Sequence, residues 1–134
     1  MNAVGLDGYE YKISLASLTT KSNLNNKSNF HLLARDLLKQ NYPTLQILEE
    51  IPIQIRKSET LYMDFFIPLT KKCIEVHGEQ HYEFTPFYHR TKLDFFKQQK
   101  RDREKQEWCH INNITYIELP YNTQDKWLEI INNA

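Results

Sequence analysis

Two acidic residues and two histidines lie close together in a segment that reads LYMDFFIPLTKKCIEVHGEQHY and spans residues 61–82. Strand-like runs at 61–67 and 72–77 flank PLTK, so the segment predicts an antiparallel hairpin in which the numbers of paired residues sum to 139. Asp64 then lies opposite Glu75, with Cβ atoms about 4.5 to 5.5 Å apart. His77, two residues beyond Glu75, shares the same face of the sheet.

Two carboxylates at this separation repel each other, and a divalent cation between them removes the repulsion. Oxygen ligands of this kind suit Mg²⁺, which proteins commonly use on phosphate substrates. The hairpin therefore predicts a cation site that acts on a phosphate, formed by Asp64 and Glu75.

The elements around the hairpin predict a mixed α/β domain. Leu45–Arg56, with isoleucines in alternation, adds a third strand and completes an antiparallel meander. Helical spacing predicts one helix from Asn29 to near Asn41, capped by Ser28 or Asn29, and a second from Thr91 to His110, ended by Asn112 and Asn113. A strand from Ile114 and a last helix over 125–132 follow.

The N-terminal part of the chain has a different composition. GYEYKISL alternates in the manner of a short edge strand, and residues 19–29 are rich in Asn, Ser and Lys, which is typical of a linker. We therefore expect a small segment with its linker over 1–27 and the main domain over 28–134.

Composition limits the class of protein. The 134 residues suit one compact domain, and the chain has neither an apolar run long enough for a membrane span nor a signal-peptide layout. We therefore expect a cytoplasmic protein without a membrane partner. The 17 basic and 17 acidic residues cancel, but residues 86–107 hold 7 basic and 4 acidic side chains, which predicts a basic helix beside an acidic site.

The order of these residues resembles that of the PD-(D/E)xK nucleases. In that superfamily a carboxylate on one strand precedes a short turn and a carboxylate-x-base run, which here is Asp64 followed by Glu75-Val76-His77. The resemblance is strongest to the branch of the very-short-patch repair endonuclease, in which histidine replaces the lysine of the run and a second histidine follows, here His81. Residues 100–105 and the run WCHINNITYIELPY resemble the tail of phage and mobile-element members, so the likeness covers about residues 28–122.

The resemblance implies a restriction-endonuclease-like core, with a central mixed sheet flanked by helices. It also implies Mg²⁺-dependent hydrolysis of double-stranded DNA, with Mn²⁺ as a substitute, by a homing endonuclease of a phage or mobile element. Such an enzyme would act in an infected or bacterial cell. Cutting both strands with one active site requires either a homodimer or sequential nicks, and the sequence leaves both open.

The resemblance also implies roles for individual residues. Asp64 and Glu75 would hold the metal, and His77 or His81 would activate the attacking water, because an unperturbed histidine with a pKa near 6.5 is largely neutral at pH 7 whereas lysine is not. Gln80 and Lys105 would position the phosphate, and Asp102 would orient a histidine. The residues expected to contact DNA are Lys97, Lys100, Arg101 and Arg103.

One feature departs from the family. Its members often carry a glutamate in the first helix that reaches the site, but here that helix reads SNFHLLARDLL and contains none. Asp36, or Glu50 from the first strand of the meander, would have to substitute.

Three alternative interpretations stay open, and a fourth, a zinc site, is disfavoured. The enzyme could be a mismatch-directed nicking enzyme, or the nuclease fold could serve only to bind DNA or a protein. Zinc bound by the histidines with Cys73 and Cys109 is disfavoured, because Cys73 and His77 are four strand residues, roughly 13 Å, apart. Asp64 and Glu75 could also be the polar face of a half-exposed strand.

Overall fold

The computed structural model describes residues 1–13, 15 and 28–134. Its strands and helices follow in the order β, β, α, β, β, β, α, β, α. Their bounds are β1 Asn2–Val4, β2 Glu10–Lys12, α1 Asn29–Asn41, β3 Leu48–Arg56, β4 Glu59–Ile67, β5 Lys72–His77, α2 Lys92–Ile111, β6 Thr115–Pro120 and α3 Trp127–Asn133. Short 3₁₀ segments at Glu79–His81 and Tyr121–Lys126 follow β5 and β6.

The central sheet has the order β3-β4-β5-β6. Strands β3, β4 and β5 form the predicted antiparallel meander, and β6 runs parallel to β5 after the connection through α2. The prediction of a mixed α/β sheet flanked by helices is confirmed.

Helices cover both faces of this sheet. On one face, Trp108 and Cys109 of α2 pack against the isoleucines of β3 and against Met63 and Phe66 of β4. On the other face, α1 and α3 bury Leu38 and Trp127 against Phe65 and other apolar side chains of β4, β5 and β6. The charged residues of the site therefore lie on strands that are held from both sides.

The helix ends follow the capping rules. Ser28 is the N-cap of α1, and its Oγ accepts the backbone N–H of His31. Thr91 caps α2 in the same way, so this helix begins at Lys92 rather than at Thr91. Asn112 ends α2, and Asn113 adopts a left-handed backbone with φ of 57°, as asparagine does at such positions.

Two predicted boundaries are wrong. Strand β3 begins at Leu48 rather than Leu45, because the backbone N–H of Leu45 is used in a turn with the carbonyl of Tyr42. The last helix begins at Trp127, since Thr123 has non-helical backbone angles and interrupts the turn that precedes it.

The N-terminal segment packs onto the domain. The predicted strand shortens to Glu10–Lys12 and pairs with Asn2–Val4, a partner that the sequence did not suggest. Ala3 and Ile13 are buried in the core on the α2 face, and the backbone N–H of Leu6 donates to the carbonyl of Ile55 at 2.8 Å. Residues 19–27 of the predicted linker lie outside the described residues.

Within the described part of the chain, no helix is long and apolar enough to cross a membrane.

Asn112 connects this N-terminal segment to the end of α2. Its Oδ1 accepts the backbone N–H of Val4 at 2.7 Å, and its Nδ2 donates to the carbonyls of Val4 and Trp108, each at 2.9 Å. We predict that Asn112→Ala lowers the free energy of unfolding by about 2 kcal/mol, because it leaves partly buried backbone groups without partners. Urea denaturation measures the change. Asn133→Ala, on an exposed residue of α3, is the control, and equal stability of the two variants would contradict the prediction.

Candidate functional site

Asp64 and Glu75 are neighbours, as the predicted register requires. The pairs Phe65 with Ile74, Phe66 with Cys73 and Ile67 with Lys72 all sum to 139. Beyond these three pairs, side-chain carboxylates take the place of backbone carbonyls as hydrogen-bond acceptors between the two strands. The N–H of Asp64 approaches Glu75 Oε2 at 3.3 Å, and the N–H of Val76 donates to Asp64 Oδ2 at 2.8 Å.

The carboxylate pair belongs to a row of four acidic positions across the sheet. Glu75 pairs with Glu118 in the register of β5 and β6. Glu50 falls opposite Asp64, between the pairs Glu49 with Phe65 and Ile51 with Met63, and it has a left-handed backbone with φ of 52°. Of the two proposed substitutes for the missing glutamate, Glu50 therefore lies in the row, whereas Asp36 is exposed on α1.

Glu75 is the most constrained of these acids. Its side chain is 3% exposed, and Lys105 Nζ from α2 lies 2.5 Å from its Oε1. Burial and the nearby charge of Asp64 raise the pKa of Glu75 well above its usual range, while Lys105 opposes that rise. Apart from this ion pair, no hydrogen-bond donor among the described residues reaches Glu75 Oε1.

The donor set fits a hard divalent cation. Two adjacent carboxylates offer oxygen ligands, and the buried Oε1 of Glu75 still has unused acceptor capacity. Asp64 and Glu75 are the residues that would hold such an ion. Lys105 supplies a positive charge at the same oxygen, so the carboxylate pair is already partly neutralised by the protein itself.

Two adjoining cavities open beside Asp64. The first, about 330 Å³, is lined by Asp64, Gly78, Gln80 and Tyr88 among others. The second, about 350 Å³, shares Gln80 and Tyr88 and continues to Lys97 and Arg101. We call the two together the Gln80 groove. Two of the four predicted DNA-contacting residues therefore lie in this groove; Lys100 is exposed outside it, and Arg103 lies elsewhere.

The two histidines form a separate stack. The rings of His77 and His81 are parallel, with centroids 4.1 Å apart. His81 Nδ1 lies 2.8 Å from Asp102 Oδ2, which places Asp102 where the sequence analysis expected it, against a histidine. Both histidines line a third cavity of about 220 Å³ with Asp102, Arg103 and Glu118, and this cavity shares no lining residue with the one that contains Asp64.

The environments of the two histidines differ. The side chain of His77 is 3% exposed, with Nδ1 3.3 Å from Glu118 Oε1 and Nε2 3.3 Å from the Tyr116 hydroxyl. The hydrogen bond with His77 lowers the pKa of Glu118. The side chain of His81 is 15% exposed, and its Nε2 has a long contact of 3.4 Å with Gln98 Nε2. His81 is therefore the more accessible of the two.

The two histidine rings are not oriented to bind one metal ion together. Ligand atoms of His77, His81 and Asp102 lie within 4.8 Å of one another. A ring nitrogen binds a metal in its ring plane, however, and two parallel stacked planes do not meet at one ion unless a ring turns. Cys73 and Cys109 are buried in the core and belong to no such group among the described residues.

Sequence reasoning missed Gln98 on α2 and the contacts of Glu49 with α1. Gln98, Asp102 and Lys105 follow one another at intervals of four and three residues, a helical spacing that places them on one face, and this signal could have identified Gln98. The second group is Glu49, whose Oε1 lies 2.7 Å from both His31 Nε2 and Arg35 Nη2. No sequence spacing indicates this contact, because it joins a helix to a strand.

Comparisons with known proteins identify viral relatives. The chain is 43% identical over 65 residues to "Uncharacterized protein 307L" of Invertebrate iridescent virus 6, which is 48% of this chain and 33% of that relative. It is 43% identical over 61 residues to "Uncharacterized protein 033L" of Invertebrate iridescent virus 3, which is 46% of this chain and 31% of that relative. It is 36% identical over 66 residues to "Uncharacterized protein 094L" of Frog virus 3, which is 48% of this chain and 43% of that relative. The matched segments thus span less than half the length of these relatives. No family model and no solved structure matches the chain.

Glu49 makes the stability of the domain depend on pH. Burial opposes its ionisation, but the hydrogen bonds from His31 and Arg35 outweigh burial and lower the pKa of Glu49 from 4.5 to about 2. A carboxyl group whose pKa is lowered in the folded protein stabilises the fold at pH values above its pKa in the unfolded chain. This stabilisation is lost as the pH falls from about 4.5 towards 2. We predict that Glu49→Gln costs about 2 kcal/mol at pH 7 and progressively less below pH 4.5.

Urea denaturation of both proteins between pH 2.5 and 7 measures this difference. Glu129→Gln, in the last helix, is the control and should show little change over the same range. A stability difference between wild type and Glu49→Gln that does not depend on pH would contradict the prediction.

Proposed function

We propose that the protein is a Mg²⁺-dependent endonuclease with a restriction-endonuclease-like core that hydrolyses phosphodiester bonds in double-stranded DNA. The observation that carries the proposal is the contact of Asp64 and Glu75 on adjacent strands, with Lys105 at 2.5 Å from the buried Glu75. A buried acid with a raised pKa costs stability, and such groups are concentrated at functional sites.

The carboxylate pair accounts for the metal requirement. Bound Mg²⁺ would supply electrostatic stabilisation of charge on the phosphate oxygens. Asp64 and Glu75 would hold it, and the backbone N–H of Val76 fixes Asp64 by donating to its Oδ2. Because hydrogen bonds hold the carboxylates in place before the substrate binds, little reorganisation is needed when charge develops.

Lys105 takes the role of the lysine that follows the second carboxylate in the carboxylate-x-base run of the PD-(D/E)xK nucleases. His77 occupies that position in the sequence, but it is buried against Tyr116 and Glu118. Lys105 reaches the same carboxylate from α2, and an ammonium at this point neutralises a phosphate oxygen as a point charge.

His81 is the candidate base, because its Nε2 lies 3.4 Å from Gln98 Nε2 and Gln98 lines the Gln80 groove that leads to Asp64. In the hydrolysis, one proton of the attacking water moves to His81 Nε2 while the water oxygen bonds to phosphorus. The bond from phosphorus to the leaving sugar oxygen breaks, and that oxygen takes a proton from solvent. Asp102 accepts the hydrogen bond of His81 Nδ1 at 2.8 Å and so stabilises the imidazolium that forms.

The Gln80 groove provides a DNA surface. Lys97 and Arg101 lie at one end of it and Asp64 at the other, with Tyr88 between them. Cations contact phosphates, and an exposed aromatic ring provides a stacking surface for a base. The adjacent Phe87 is 86% exposed and extends the aromatic surface beyond the groove.

The row of acidic positions forms one candidate site in the described part of the chain. One chain would therefore cut one strand at a time, which supports either a homodimer or a nicking enzyme. The viral relatives are compatible with an enzyme of a virus or mobile element.

We predict that Asp64→Asn and Glu75→Gln reduce DNA cleavage by at least about 100-fold, because each removes a metal ligand. Supercoiled plasmid carrying viral genomic inserts, incubated with Mg²⁺, Mn²⁺ or EDTA, provides the measurement. Asp36→Asn, on the exposed face of α1, is the matched control and should cleave at the wild-type rate. Full activity in EDTA, or unchanged activity of Glu75→Gln, would contradict the mechanism. A wild type that binds DNA but cuts no substrate would favour the binding-only alternative.

We further predict that Lys97→Ala and Arg101→Ala each weaken DNA binding about threefold to tenfold at 0.1 M salt, because each removes a phosphate contact. Fluorescence anisotropy with labelled duplex and Ca²⁺, which leaves the DNA intact, measures the dissociation constant. Lys100→Ala removes the same charge from the same helix outside the groove and should change binding less. Equal losses for all three variants would show that general charge, not the groove, determines binding.

A further inference from the structure

A chain of hydrogen bonds leads from a backbone amide to His81. It begins at Thr85, whose backbone N–H donates to His89 Nδ1 at 3.0 Å. His89 Nε2 lies 2.7 Å from Gln98 Oε1, and Gln98 Nε2 lies 3.4 Å from His81 Nε2. The last contact joins His81 Nδ1 to Asp102 Oδ2 at 2.8 Å.

The first contact fixes the state of His89. A backbone amide only donates, so Nδ1 of His89 must be the unprotonated acceptor and the proton of the neutral ring is on Nε2. His89 is 4% exposed, and its ring stacks on that of Phe84 and makes a T-shaped contact with that of Phe95. Its Nε2–H therefore donates to an oxygen, and this sets the orientation of the Gln98 amide.

The orientation of Gln98 then determines the state of His81. With Oε1 turned to His89, the Gln98 amide nitrogen faces His81, and an amide nitrogen donates but does not accept. Nε2 of His81 must be unprotonated, and its proton is on Nδ1, where Asp102 accepts it. At 3.4 Å the bond from Gln98 is long, so a water molecule can approach the same lone pair more closely.

We propose that His89 and Gln98 are positioning residues that hold His81 in the tautomer with a free Nε2, the form that a base requires. The use of this tautomer rests on the proposed hydrolysis, but the tautomer itself does not. His77 is held by other groups: its Nδ1 lies 3.3 Å from Glu118 Oε1, and its Nε2 faces the Tyr116 hydroxyl, which can donate to it and so occupy its lone pair.

Long-range ¹H–¹⁵N correlation spectra of the ¹⁵N-histidine-labelled, metal-free protein at pH 8 test the proposal. We expect His81 to be protonated on Nδ1 and His89 on Nε2, two opposite tautomers in one spectrum. His81 protonated on Nε2, or His89 protonated on Nδ1, would overturn the proposal, and neither result depends on whether the protein cleaves DNA.

The variant Gln98→Glu tests the same link with function. A carboxylate only accepts, so His81 should gain a proton on Nε2, and cleavage should fall about 100-fold, which exceeds the threefold to tenfold loss of DNA binding expected from a changed charge in the Gln80 groove. Gln40→Glu makes the same substitution at an exposed position of α1 and should leave the His81 signals unchanged. Unchanged His81 signals in Gln98→Glu would overturn the proposal. An inactive wild type with the expected tautomers would refute the hydrolysis alone.

Discussion

The burial of Glu75 beside Asp64 is the constraint on which the site depends. Two acids side by side are unfavourable in a packed sheet, and the fold accommodates them with the Lys105 ammonium and with backbone N–H groups that take the place of ladder bonds. This arrangement requires α2 to pack at a fixed height over β5. Trp108 and Cys109, buried on the same helix, provide that packing.

Much of this geometry follows from local sequence. The register of β4 and β5 was predictable because two short strands joined by PLTK allow few pairings, and that register alone brings Asp64 to Glu75. The extent of α1 was predictable from its spacing and from Ser28 as its cap. Both depend on residues near each other in the chain.

Contacts between distant elements were not predictable in this way. Nothing in the sequence near His31 indicates that it faces Glu49, or that the first helix meets β3 through an ion pair where a glutamate had been expected. The assignment of His77 and His81 to a cavity apart from Asp64 also depends on how the turn after β5 folds back on α2. A linear pattern specifies which face of a strand a residue occupies, but not which helix covers it.

The spacing of Gln98, Asp102 and Lys105 has a consequence for how the gene can change. Each residue of an α-helix advances the chain by about 100° around the axis. One inserted or deleted residue between Gln98 and Lys105 would turn one end of this stripe away from the sheet and separate Lys105 from His81's partners. Length variation in related genes should therefore be found in the loops, while this stretch of α2 keeps a fixed number of codons.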